Sequence, residues 1–184
     1  MAEYSIGSCK VYFTPNTTSA TEVNLGYTSG GVSFGTTTET QEIMVDQLKV
    51  PLDEVITKRT ITVTCPFARF DLDNFKLAFP GSSIVTDATD TTKKKLLIPA
   101  EITGSLKNYA GQLRLHPCDL EDTDKSLDVL LPLAAPTGSD LEINYTREDL
   151  KTIPVTFKAF APTTGTNAGQ AVIIGDPTAT PSTL

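Results

Sequence analysis

The 184-residue sequence has no tryptophan and only one histidine, and its basic side chains are outnumbered by its acidic ones. Fifteen bases against 22 acids give a net charge of −7. Proteins that hold nucleic acid neutralise its phosphates with Lys and Arg, so this balance argues against a DNA-binding module. The same charge balance is compatible with a protein that DNA passes without binding.

Long hydrophobic runs are also missing. A membrane-spanning helix needs about 20 apolar residues, and the longest apolar stretch, Val129–Pro136, is short and broken by proline. The first ten residues have no basic region followed by an apolar run, so we expect neither a secretory signal nor a membrane anchor. Cys9, Cys65 and Cys118 are an odd number at wide spacing, which favours free, mostly buried thiols and cytoplasmic synthesis.

The sequence is rich in threonine, and its 12 Gly and 12 Pro separate short runs of apolar and β-branched residues, a pattern that favours strands. The clearest run is Arg59–Cys65, in which Ile61, Val63 and Cys65 alternate with threonines. Such alternation is typical of a strand with one buried and one solvated face. The further strand candidates are Cys9–Pro15, Lys93–Ala100, Gly111–Pro117, Ser126–Leu133, Leu141–Thr146, Ile153–Pro162 and Gln170–Gly175.

One segment has a helical pattern. Asp71 can cap it, and Leu72, Phe75 and Phe79 fall on one face. A Pro-Gly pair follows directly and ends the run. We therefore predict one short helix here.

The remaining long segments predict the architecture. Asp46–Lys58 and Pro80–Lys95 have the composition of irregular loops, and loops of this length are usually functional or interaction elements. We predict a mainly β fold, an antiparallel β-sandwich or open barrel with one short α-helix and long inter-strand loops. A single domain would span residues 1–177, and residues 178–184 would be a flexible tail.

Glycine spacing raises the possibility of a phosphate-binding loop. Gly26 and Gly31 are separated as the two glycines of such a loop are, but Val32 and Ser33 follow where Lys and then Ser or Thr are needed. A strand follows as well, so no helix N-terminus would face the phosphate. We predict instead a tight turn that uses Gly30 and Gly31 at positive φ.

Other candidate sites are equally weak. His116 and Cys118 flank Pro117, and no neighbouring group is placed to orient the imidazole, so an ordinary, partly buried histidine is favoured over a catalytic dyad. The acidic run Asp119–Asp128 lacks the sixth-position glycine and the final glutamate of a calcium loop. Lys93–Lys95 is typical of a loop end or a guarded edge strand, or it meets an acidic patch on a neighbouring subunit. We expect no enzymatic activity, no cofactor and no metal site.

Several motifs, in a fixed order along the chain, carry a resemblance to a known family. They are VNLGYTSGGVSF (residues 23–34), ETQEIMVDQLKVPLDEVITKRTITVTCPFARFDLDNF (residues 39–75), DLKTIPVTFKAFAP (residues 149–162) and VIIGDP (residues 172–177). With them the chain resembles the major tail tube proteins of long-tailed bacteriophages. The resemblance covers residues 4–80 and 145–177, and residues 81–141 match only in general β character.

The resemblance implies a virion protein that is assembled in the host cytoplasm into hexameric rings, which stack as a hollow tail tube. Genomic DNA passes through the lumen without specific binding. The implied protein partners are further copies of the chain, a tape-measure protein, and the tail terminator and initiator proteins. Two alternatives stay open: a tube protein of the type VI secretion kind, and a monomeric β-sandwich binding module, for which the aromatic supply is poor. A hydrolase using His116 and Cys118 is a remote third.

The resemblance also places contacts to an adjacent ring in the Asp46–Lys58 segment. The residues that match the motif there, and take this role by resemblance, are Asp46, Pro51, Asp53 and Glu54. The lumen residues follow from strand alternation alone, and a shift of one residue would exchange the faces. These lumen candidates are Glu39, Gln41, Thr60, Thr62 and Thr64.

Overall fold

The computed structural model of the protein describes residues 7–17, 20–101, 104–138, 142–143 and 150–179. Within these residues the chain forms ten strands, a 3-10 helix at Leu106–Tyr109 and one α-helix, α1 (Leu72–Ala78). The strands are β1 (Cys9–Pro15), β2 (Val23–Asn24), β3 (Ser33–Ile43), β4 (Asp53–Phe67), β5 (Ser83–Thr86), β6 (Lys94–Leu97), β7 (Gly111–Pro117), β8 (Val129–Pro136), β9 (Ile153–Ala159) and β10 (Ile173–Ile174).

Eight of these strands form one antiparallel sheet that curls on itself. The order is β2-β1-β7-β8-β9-β4-β3, with β10 beside β8. Phe13 of β1 packs on Phe157 of β9, with ring centroids 5.7 Å apart, although β7 and β8 lie between the two strands in the sheet. The loop between β2 and β3 also lies against β4, because Ser29 N donates to Pro66 O at 3.0 Å. The expected mainly β, antiparallel fold is confirmed, and we call the curled sheet the barrel.

The barrel interior follows from alternation along the strands. In β4 the side chains of Ile61, Val63, Cys65 and Phe67 are buried, and the residues between them are only half-buried. Val63, Cys65 and Phe67 join Phe157 in one core cluster that draws on β1, β4, β7, β8 and β9. Burying each large apolar side chain contributes about 1.5–3 kcal/mol. The strand predicted at Arg59–Cys65 is therefore confirmed, with the predicted face inside.

The predicted helix is confirmed as well. The Asp71 carboxylate accepts the backbone N–H of Asn74 at 2.9 Å, which caps the first turn. Phe75 and Phe79 pack against the core, whereas Leu72 is half-buried at the helix start. The helix therefore lies on the barrel with the second half of its apolar face inward.

Both segments predicted to be irregular loops contain strands, so those two predictions are wrong. In Asp46–Lys58 the β-branched run after Asp53 pairs with β3, and only residues 44–52 connect the two strands. In Pro80–Lys95 a β-branched run, β5, pairs with β6 as a separate two-stranded sheet. Its turn is closed by the Asp87 carboxylate, which accepts two backbone N–H groups. Neither hairpin was predicted, because neither has a fully buried face that would impose a clear alternation on the sequence.

The other strand candidates are found with varying lengths. β1 and β7 have the predicted bounds, and β8 and β9 overlap theirs, whereas β6 and β10 are shorter than predicted. Residues 141 and 144–146 of the Leu141–Thr146 candidate lie outside the described residues, as do residues 180–184 of the predicted tail. In the part of the chain that is described, no helix has the length and hydropathy to cross a membrane.

Candidate functional site

A long hairpin extends β3 and β4 beyond the barrel. β9 pairs with β4 only from Thr62 to Phe67, and among the described residues β3 pairs only with β4. Residues 38–59 therefore form a two-stranded projection, which we call the arm. Its six paired residues on β3 alone extend about 20 Å at about 3.3 Å per residue. Every residue of the arm is exposed except Val45, which is half-buried.

The arm is unusually apolar for an exposed element. It holds seven of the 17 large apolar side chains that are exposed in the described part of the chain. These are Ile43, Met44, Leu48, Val50, Leu52, Val55 and Ile56. A lone two-stranded hairpin is marginally stable in water, and a grouped exposed apolar surface marks an interaction site. The arm thus has the chemistry of an element that another surface covers.

The predicted ring-contact residues lie at the far end of the arm. Asp46 and Pro51 are in the 44–52 connection, and Asp53 and Glu54 begin β4. Glu54 accepts a hydrogen bond from the Thr40 hydroxyl across the hairpin. The apolar residues around them were missed from the sequence, although the alternation of Val50 and Leu52 in a supposed loop was a signal.

The five predicted lumen residues share one face of the sheet, because strand residues two apart face the same way, and a β-bulge changes only the β4 partner of Gln41. Glu39 lies opposite Lys58. From Lys58 to Thr64 the even-numbered residues of β4, including Thr60, lie on the same face as Glu39. Beyond that pair Thr57 is an extra residue in β4, and its hydroxyl donates to Glu39 O at 3.1 Å. β3 has no extra residue, so Gln41 stays on the face of Glu39, now beside Val55.

This face is rich in hydroxyls and carries little net charge. The Thr64 and Thr156 hydroxyls are 3.2 Å apart, and Lys158 lies opposite Thr62. Glu39 is paired with Lys58 at 2.6 Å. This face is therefore not acidic, although the chain as a whole has a net charge of −7.

His116 lies in a buried polar cluster on the outer face of β7. Its Nδ1 is 2.6 Å from Asp128 Oδ1, so the sequence-based view that no group orients the imidazole is wrong. That pair resembles a base and its orienting carboxylate. Nε2, however, is buried without a hydrogen-bond partner among the described residues, and its nearest acidic atom, Asp122 Oδ1, is 3.9 Å away. Among the described residues no nucleophilic side chain is hydrogen-bonded to this nitrogen.

The same cluster contains a half-buried arginine, Arg114. Arg114 Nη1 donates to Asp128 Oδ2 at 3.0 Å, and its Nε and Nη2 donate to Glu22 at 2.8 and 2.6 Å. Its guanidinium lies 4.2 Å from the centroid of the Tyr12 ring. Hydrogen bonding to Glu22 raises the pKa of Arg114 further above its ordinary value. The cluster ties β1, β7 and the loop before β8 together, which is a structural role.

The cysteines differ in environment, and none is in a disulfide. Cys65 is buried, Cys9 is half-buried and Cys118 is exposed, so the prediction of mostly buried thiols fails for Cys118. Burial raises the pKa of the Cys65 thiol. Among the described residues no group of three or more His, Cys, Asp or Glu could hold a metal ion.

The glycine turn has the backbone that was predicted for it. Gly30 and Gly31 have φ of 94° and 84°, a conformation that favours glycine. They lead into β3, which begins at Ser33. The turn therefore lies in the loop that connects β2 and β3, the two end strands of the sheet order.

Two comparisons with known proteins add no relative. No family model matches the chain, and no curated protein matches it.

Proposed function

We propose that this chain is a structural tube protein of a long-tailed bacteriophage, which assembles into stacked hexameric rings through which DNA passes. The observation that carries the proposal is the arm, an exposed apolar hairpin that extends about 20 Å from a well-packed barrel. Such an element is stabilised only when a further surface covers it. Repeated copies supply that surface in a stack, where each arm reaches the next ring.

The hydroxyl-rich face supports the second half of the proposal. Its threonines are partly exposed to solvent, whereas the alternate residues Ile61, Val63 and Cys65 are buried in the core. A face with little net charge and mobile hydroxyls has no cationic array with which to hold phosphates. In the proposed ring the threonine face lines the channel, and no enzymatic step, cofactor or metal is needed.

Electron microscopy of the purified full chain tests the proposal. We expect six-fold rings or striated tubes at high protein concentration. A strict monomer across protein concentration and salt, measured by sedimentation, would refute it. Tubes that form but never contain DNA in the natural particle would favour the type VI-like alternative.

A monomeric binding module is the second candidate, favoured by one groove. About 810 Å³ of space lies between α1 and the β1–β2 edge, lined in part by Leu25, Leu77 and Tyr109. Its rim has both signs of charge, including Asp73 and Lys76. Binding of a small ligand to the monomer, lost when Leu77 is replaced by a larger residue, would favour this candidate over the tube.

A further inference from the structure

We infer that the β5–β6 hairpin is the surface that receives the arm of a second copy of this chain. The inference rests on the proposed self-assembly and names the docking site that the arm would use. It follows from two unpartnered hairpins on one molecule whose exposed charges are opposite in sign.

The receiving hairpin is small and stands apart from the barrel sheet. Ile84 lies opposite Leu96 on a half-buried face, and both strands contact α1. The opposite face carries Val85 and Leu97, which are 40% and 48% exposed, with Lys95 directly across from Val85. One face is therefore used within the chain, and the other offers apolar and basic groups.

The charges of this hairpin are unbalanced in favour of lysine. Lys93 pairs with Asp90 at 3.3 Å, and the Asp90 carboxylate also accepts the N–H of Thr92. In the described part of the chain Lys94 and Lys95 form no salt bridge. Lys95 thus lies on the exposed apolar face with Val85 and Leu97, whereas Lys94, opposite Thr86, is exposed on the other face of the hairpin.

The arm has the complementary charge. Residues 40–56 contain four carboxylates and one lysine, a net charge of −3. Glu42 lies directly opposite Glu54 in the ladder, an arrangement that is destabilising unless a cation lies nearby. Within the described residues neither forms a salt bridge. Ile56, 58% exposed, lies beside them on the same face.

The two surfaces therefore match in both charge and hydrophobicity. Lys95 can neutralise Glu42 and Glu54, with Lys94 adding positive charge nearby, while the exposed aliphatic groups of the two hairpins cover each other. The contact uses different patches on the two copies, so in a stack of rings each arm can engage the hairpin of the next copy and the contact can propagate.

A charge-exchange experiment tests the inference. The variants are Lys94→Glu/Lys95→Glu in the hairpin, Glu42→Lys/Glu54→Lys in the arm, and all four together. We measure the critical concentration for assembly of the full chain by sedimentation and electron microscopy at low salt. Each double variant should raise it at least tenfold, and the quadruple variant should restore it.

A mixture of the two double variants is a stronger test. A basic arm should then dock on the acidic hairpin of the other variant, so the mixture should assemble where neither variant does alone. Lys107→Glu/Lys151→Glu, two exposed lysines outside the β5–β6 hairpin, α1 and the arm, makes the same change in net charge and should leave assembly unchanged. Lys94→Gln/Lys95→Gln should give an intermediate loss, and circular dichroism should show each variant folded.

Three outcomes would overturn the inference. If wild-type chains never assemble, the proposed function fails and this docking site fails with it. If wild type assembles and the hairpin variant assembles equally well, only the docking site is wrong. If the hairpin variant assembles normally but loses DNA that wild-type tubes retain, the lysines contact nucleic acid instead of the arm.

Discussion

The barrel and the arm are built from the same two strands but obey different rules. Where β4 pairs with both β3 and β9, its alternate side chains are buried, as at Val63, which has no exposed surface. From Asp53 to Arg59, where β4 pairs with β3 alone, every side chain is exposed, as at Ile56. One strand thus passes from a self-sufficient fold into an element that has no core of its own.

The comparison separates residues that serve the fold from those that serve assembly. A buried aliphatic residue in the barrel lowers the free energy of the monomer. An exposed aliphatic residue in the arm contributes nothing comparable until another surface covers it. Substitutions in the two regions should therefore affect different measurements, and the predictions below are ordered by the size of the expected effect.

The largest loss of stability should come from the barrel core. Phe157 is fully buried against Phe13, so Phe157→Ala should lower the free energy of unfolding by about 3–5 kcal/mol. Urea denaturation measures this. The matched change in the arm, Ile56→Ala, should cost less than about 0.5 kcal/mol. Equal losses at the two positions would remove the distinction between barrel and arm.

The buried polar cluster should come next. Asp128→Ala removes the buried carboxylate that contacts both His116 and Arg114, and should cost about 3 kcal/mol because the buried His116 loses its hydrogen-bond partner and Arg114 loses one of its two carboxylates. Glu121→Ala, an exposed acid in the same loop, should change stability by less than about 0.5 kcal/mol. If the two variants unfold at the same urea concentration, the cluster does not hold the loop.

Two adjacent threonines can separate the faces of the sheet. Thr37 lies opposite Thr60 on the proposed channel face, and Thr38 lies opposite Arg59 on the other face. Thr37→Lys should slow DNA release from assembled particles about tenfold at low salt, since each ring would present added cations to phosphate. Thr38→Lys should release DNA at the wild-type rate. A larger effect from Thr38→Lys would exchange the two faces.

The smallest effect concerns the thiols. The exposed Cys118 should react first with a thiol reagent at neutral pH, and Cys65 should react only on unfolding. Burial both shields the Cys65 thiol and raises its pKa, which leaves little reactive thiolate. Mass spectrometry of the labelled protein locates the modified residue. Early labelling of Cys65 would show that the barrel opens readily.

The strands and the buried face of the barrel were largely predictable from the sequence. For the arm, the sequence indicated a distinct segment but did not indicate its strand pairing. Alternation at Ile61, Val63 and Cys65 records a buried face, and the capping Asp71 marks a helix start, so both patterns survive in the sequence. In the arm no face is buried within the chain, so no period of two is imposed and Asp53–Lys58 looked irregular. The bulge at Thr57 could not be predicted from the sequence for the same reason.

Long-range pairing explains the remaining surprises. His116 and Asp128 are 12 residues apart, and Arg114 meets Glu22 from 92 residues away, so local inspection could not join them. The turn at Gly30 and Gly31, by contrast, was predictable because positive φ is a local requirement.

The most direct test of the account is assembly of the variant Val50→Ser/Leu52→Ser, which removes apolar surface from the arm tip. Val50 and Leu52 are 63% and 61% exposed, and Leu150→Ser, at 64% exposure, is a matched control outside the arm. We expect the arm variant to unfold within about 0.5 kcal/mol of wild type, yet to form tubes only at a tenfold or higher protein concentration by electron microscopy. Tubes of wild-type length and number at the wild-type concentration would contradict the central claim that the arm assembles the tube.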